Sequence, residues 1–145
     1  MNPSPGTKSI PATTSIDAEH QIQMGLAQAF HDAVRAGQNS VLARQILDQL
    51  VAYSDVHFMS EQLLMRLCSY PEHDDHVLDH DRMMERLMEV KHHHDAGDQT
   101  DALREAEALQ TFLAWHIETR DRRFCDYYRA WVRSAANPAE QFLSV

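Results

Sequence analysis

Apolar positions recur along this chain at three- and four-residue steps with polar positions between them, the period of amphipathic helices and not of strands. Ile16, His20, Ala27, Phe30 and Val34 share one face, which predicts a first helix capped near Ser15 to Asp17 and stopped at Gly37. A second helix after Ser40 carries Ile46, Leu50, Tyr53, His57, Glu61, Leu64 and Cys68 on its inner face, and Tyr70-Pro71 ends it. The third begins near Asp74, buries His76, His80, Met83, Leu87 and Val90, and ends at Asp95-Ala96-Gly97. The fourth is capped by Asp98 or Thr100 and buries Leu103, Ala106, Leu109, Leu113 and His116. A short fifth helix is expected from Asp121 to about Ser134, with Phe124, Tyr127, Tyr128 and Trp131 as its apolar contacts.

The short connections force neighbouring helices to run antiparallel, so the expected fold is all-α: an up-down-up-down antiparallel four-helix bundle with a short C-terminal helix and a flexible N-terminal arm. The organisation expected is an arm over 1–14, one bundle domain over 15–135 and a tail over 136–145. The arm, rich in Pro, Ser and Thr, lacks the apolar core of a secretory signal.

Composition changes this picture little. A formal charge of −9 argues against nucleic acid and anionic membrane surfaces as partners. No apolar run approaches the ~20 residues of a membrane-spanning helix. Cys68 and Cys125 have no paired spacing and are expected as buried thiols, which suggests a cytoplasmic setting.

The ten histidines do change it. His57 and Glu61 are four apart on one helix, as are His76 and His80, so each pair occupies a single face. His20 opens the first helix, His57 and Glu61 lie late in the second, His76 and His80 open the third, and His116 and Asp121 close the fourth. In an antiparallel bundle all seven fall at one level, whereas scattered positions would lie some 20–30 Å apart. Packing five imidazoles and two carboxylates together without a metal would leave many polar atoms desolvated and unpaired. A transition-metal site is therefore expected, of a size for two ions. His116 and Asp121 are five apart, about 140° around a regular helix, so the helix is expected to loosen or widen between them.

The other histidines, His31, His73, His92, His93 and His94, are expected to be solvated. Met59, Met65, Met83, Met84 and Met88 are expected to fill the core.

The pattern I16-D17-x-x-H20, H57-F58-x-x-E61, Y70-P71-x-x-x-x-H76-x-x-x-H80 and L113-x-x-H116-I117-x-x-x-D121 resembles hemerythrin, specifically the bacterial single-domain kind. The resemblance runs over about residues 15–125. Two positions depart from the family: no Trp precedes His20, and Phe112 stands where Trp is common, with Trp115 directly before His116.

The resemblance implies two iron ions in a non-haem, oxo- or hydroxo-bridged di-iron centre. His76, His80 and His116 would hold one iron, His20 and His57 the other, and Glu61 and Asp121 would bridge them. One coordination position would stay free on the two-histidine iron, where O₂ would bind reversibly for storage, transport or sensing. Leu113, Ile117 and Phe58 are the expected apolar wall of the O₂ pocket. The alternatives are a redox or O₂ signalling module acting on a partner in trans, and a di-iron peroxidase or oxidase. The last is disfavoured because no polar substrate pocket is apparent beside the metals. A protein partner and homo-oligomerisation both stay open.

Overall fold

The computed structural model describes residues 11–37 and 40–136, and all the regular structure among them is helical. Helix α1 spans Pro11–Arg35, α2 Ser40–Leu67, α3 His73–Asp95 and α4 Gln99–His116. Helix α4 continues through a wider, π-type turn, Ile117–Asp121, into α5, Arg122–Ala136. Helices α1 and α3 sit diagonally, each packing against both α2 and α4, which is the square section of an antiparallel bundle.

Helix α1 is already helical at Pro11, the first described residue, and so reaches further back than the Ser15–Asp17 cap expected from sequence. Residues 11–14 of the expected arm are therefore helical, while residues 1–10 and 137–145 lie outside the described residues.

The loops obey short-range rules. Gly97, at φ +77°, closes α3: its N–H donates to His94 O and the next N–H, from Asp98, reaches His93 O. Ser69 does the same for α2 at φ +52°, with Tyr70 N–H donating to Met65 O at 2.8 Å. The Asp98 side chain then caps α4 by accepting from Asp101 N–H at 3.2 Å.

The core has three apolar layers. At one end Phe30, Ala33, Ala43, Leu47, Val90 and Ala106 pack together. The middle holds Ala27, Leu50, Phe58, Met83, Leu87, Leu109 and Leu113. Ile16, Met65, Cys68, Tyr70, Phe124, Cys125 and Tyr128 close the other end, so both thiols are buried and free as expected.

Some inner-face assignments move. Val34, Ile46, Tyr53, Leu64 and Leu103 are only partly buried, whereas Ala43, Leu47, Ser54 and Ala102 are buried. Alanine and serine carry little weight in a hydrophobic pattern, so the burial of Ala43, Ser54 and Ala102 does not show in it. Met65 and Met83 fill the core, but Met59 and Met88 are about half exposed, at 56% and 48%. His31 and His94 are not solvated either. His31 packs under Glu107 with a 2.9 Å contact from Nε2 to Oε1, and His94 stands edge-on to Phe30.

Candidate metal centre

The seven polar residues singled out by spacing converge between the middle and far layers. All are buried: His57, Glu61, His76, His80, His116 and Asp121 are at most 2% exposed and His20 is 7% exposed. Each helix of the square contributes: His20 from α1, His57 and Glu61 from α2, His76 and His80 from α3, and His116 from α4. Asp121 comes from the end of the π-type turn. That turn is the expected irregularity, and it brings Asp121 Oδ1 within 3.0 Å of His116 Nε2.

The five Nε2 atoms all face the two carboxylates. Glu61 lies 2.5 Å from His76, 3.1 Å from His57, 3.5 Å from His80 and 3.7 Å from His20, measured to Nε2 in each case. Asp121 lies 2.9 Å from His20 Nε2 and 2.8 Å from His76 Nε2. Despite these separations, all five Nε2 atoms, both Glu61 oxygens and Asp121 Oδ1 lack a directional hydrogen bond. Eight buried polar atoms crowded together without a directional hydrogen bond would be costly. Lone pairs converging on a cation between them remove that cost.

Two donor groups emerge, each with its atoms within 4.8 Å of one another: Glu61, His76, His80, His116 and Asp121 in one, His20, His57, Glu61 and Asp121 in the other. Glu61 and Asp121 belong to both. Imidazole nitrogens with shared carboxylates fit a pair of transition-metal ions.

Protonation reflects the crowding. Burial opposes charge on His20 and His76, but their contacts with Asp121 and Glu61 outweigh it and raise both pKa values to about 9. His57 also rises, with Glu61 overcoming burial, whereas at His80 burial wins and the pKa falls. Burial would raise Glu61, yet the four surrounding histidines hold it well below the usual carboxylate range. Asp121 is lowered by His116, His20 and His76 against burial and the charge of Glu61.

Outer atoms of the rings have partners that the spacing did not reveal. His57 Nδ1 meets Glu19 Oε2 at 2.7 Å, and His116 Nδ1 meets Asp79 Oδ2 at 3.2 Å. The same Asp79 oxygen holds Arg120 Nε at 3.1 Å. Gln62 lies 3.1 Å from His80 Nδ1; with its amide oxygen turned to the ring it accepts the Nδ1–H. The available signals were weak: Glu19 precedes His20, and Asp79 follows His76 by three, on the same face.

Apolar and aromatic groups pack against the rings of the centre. Phe58 stacks on His80 with ring centroids 4.1 Å apart, and Phe124 and Tyr70 stand edge-on to His76 at 6.2 and 6.4 Å. Leu113 is buried in the middle layer with Ile117 packed against it. A cleft of about 310 Å³ reaches the His20 side between Asp17, Ile117, Glu118 and Arg122. Gln23 and Ser54, both fully buried and not singled out by the sequence, form a polar pair one turn from His20 and His57.

A family profile described as the hemerythrin HHE cation binding domain matches residues 12–128. The chain is 29% identical over 106 residues to a bacteriohemerythrin of Ralstonia nicotianae, covering 73% of this chain and 74% of that protein. It is 28% identical over 122 residues to one of Stenotrophomonas maltophilia, covering 83% and 78%, and 24% identical over 108 residues to one of Methylococcus capsulatus, covering 74% and 82%. No solved structure matches. No helix among the described residues is long and apolar enough to cross a membrane. With its seven buried donors lying inside the matched span, the chain belongs to the hemerythrin family of HHE cation-binding domains.

Proposed function

We propose that this protein binds O₂ reversibly at a non-haem di-iron centre. The reading assigns His76, His80 and His116 to one iron, His20 and His57 to the other, and Glu61 and Asp121 to both. The observation that carries it is the overlap of the two donor groups in those two carboxylates. When bound, the iron pair supplies the electrons and the vacant position that reversible O₂ binding requires.

The chain's own residues do the rest. Glu19 and Asp79 accept hydrogen bonds from the outer Nδ1–H groups of His57 and His116, which fixes the tautomer and leaves each Nε2 lone pair facing inward. Arg120 holds the Asp79 carboxylate in place. Phe58, Leu113 and Ile117 form the apolar wall that keeps bulk water, and the protons it carries, from the bound ligand. Neutral imidazoles outnumber carboxylates five to two, an electron-poor donor set that favours binding over oxidation of a substrate. Members with bacteriohemerythrin names support the oxygen-binding reading.

Anaerobic loading with ferrous iron tests the proposal. The expected result is two irons per chain and a visible absorption that appears with O₂ and vanishes when O₂ is removed. A single zinc per chain, or irreversible oxidation accompanied by steady consumption of peroxide, would overturn it.

A further inference from the structure

One layer of side chains lies a helical turn from the donors, toward the middle of the bundle. Because alternate helices reverse direction, it is built three residues after a histidine on α1 and α3 and three before one on α2 and α4. The four positions are Gln23 after His20, Ser54 before His57, Met83 after His80 and Leu113 before His116. Three residues rise about 4.5 Å along a helix, so the layer is next to the centre. Met83 and Leu113 belong to the apolar middle of the core. Gln23 and Ser54 are polar, and they stand on the two helices that carry His20 and His57.

The pair is not solvated. Gln23 is 1% exposed and Ser54 0%. Gln23 Nε2 donates to Ser54 Oγ at 2.9 Å, which satisfies one end of the amide. Gln23 Oε1 has no hydrogen-bond partner. A buried amide half satisfied by the protein is a liability in a core where Leu or Met would pack without penalty. The Ser54 hydroxyl can accept or donate, so it can hold the amide either way round. The free end of Gln23 is then a carbonyl toward a proton-bearing group, or an N–H toward an anion.

We propose that Gln23, held by Ser54, hydrogen-bonds the small exogenous ligand on the two-histidine side of the centre. The ligand class is small anions and proton-bearing species that carry a hydrogen-bonding atom. This rests on the di-iron reading given above and deepens it: in this layer Met83 and Leu113 make the α3 and α4 positions apolar, while Gln23 and Ser54 make the α1 and α2 positions polar. Gln23 is thus a specificity-determining residue, and it selects among ligands of the same metal.

The probe is azide, titrated into the iron-loaded, oxidised protein and followed by its charge-transfer absorption. The variants are Gln23→Leu/Ser54→Ala, which removes both polar partners, and Gln23→Met, which keeps the length of the side chain. Both should load iron as the unchanged protein does. The metal-free double variant should melt at the same temperature or higher, since no polar atom is left unpaired. Azide affinity should fall about tenfold, equivalent to ~1.4 kcal/mol. Unchanged azide affinity in either folded, iron-loaded variant overturns the inference and leaves Gln23 a packing residue satisfied by water. Failure of the unchanged protein itself to load iron, or to show an azide-dependent band, overturns the di-iron reading beneath it.

Discussion

His116 Nε2 lies 3.0 Å from Asp121 Oδ1, although five residues separate them on a helix that continues past both. On a regular α-helix that spacing would leave the two about 140° apart. The π-type turn over Ile117–Asp121 absorbs the extra residue and returns Asp121 to the inner face. Inserting one alanine between Glu118 and Thr119 should rotate Asp121 by roughly 100°. A carboxylate shared by both donor groups is then lost, and iron content should fall from two to one or fewer per chain. Deleting Glu118, an exposed residue, restores a four-residue spacing on a regular helix and should be much the milder change. Equal iron content in the insertion variant would show that Asp121 is not needed at the centre.

The helices, their antiparallel order and the meeting of seven donors were legible because each follows from periodicity and loop length. The irregularity near Asp121 was legible for a similar reason, since two donors five apart are incompatible with one regular face. The burial of His31 and His94 is not legible, because a histidine beside charged neighbours carries no periodic signal. Their burial depends on Glu107 and Phe30, which lie on other helices. The roles of Asp79, Glu19 and Gln62 depend on which ring nitrogen each faces, and sequence does not record that. The Gln23–Ser54 pair joins positions thirty-one residues apart and shows only when α1 and α2 are side by side.

Asp79 should matter more than Glu19, although each accepts from a donor histidine. The Asp79 side chain is 5% exposed and Glu19 28%, so water can replace Glu19 far more readily. Asp79→Ala leaves His116 Nδ1–H buried without an acceptor and releases Arg120. Iron retention against a competing chelator should drop about 10- to 100-fold, the usual consequence of losing such a partner. Glu19→Ala should give a smaller loss. Identical retention for Asp79→Ala and the unchanged protein would remove Asp79 from its positioning role.

Leu113 and Leu109 separate sealing from stability. Both are buried in the same apolar layer of α4, at 2% and 4% exposure, but Leu113 is one turn nearer His116. Replacing either by Ala should cost about 2–5 kcal/mol of folding stability, read as a lower Tm. Leu113→Ala alone should shorten the lifetime of the oxygen-dependent absorption, because water then reaches the pocket. Equal lifetimes in the two variants would mean that Leu113 acts only as core.

The metal-free and iron-loaded proteins should respond to alkali differently. In the metal-free form His20 and His76 titrate near 9, against 6.5 for an unperturbed imidazole, because Asp121 and Glu61 outweigh burial. A pKa raised by folding means that the folded state binds the proton more tightly. The stability this contributes is complete below pH 6.5 and is lost as pH rises through about 9. The Tm of the metal-free protein should therefore fall across that window, on the order of several degrees. Iron binding needs the same nitrogens unprotonated, so anaerobic loading below pH 9 should release protons, and iron affinity should climb with pH. Melting curves at intervals from pH 6 to 10, with a pH-stat measurement during ferrous iron addition, read both effects. A metal-free Tm that rises through this range, or loading at pH 7 with no proton release, would show that the histidines do not hold their protons against these two carboxylates.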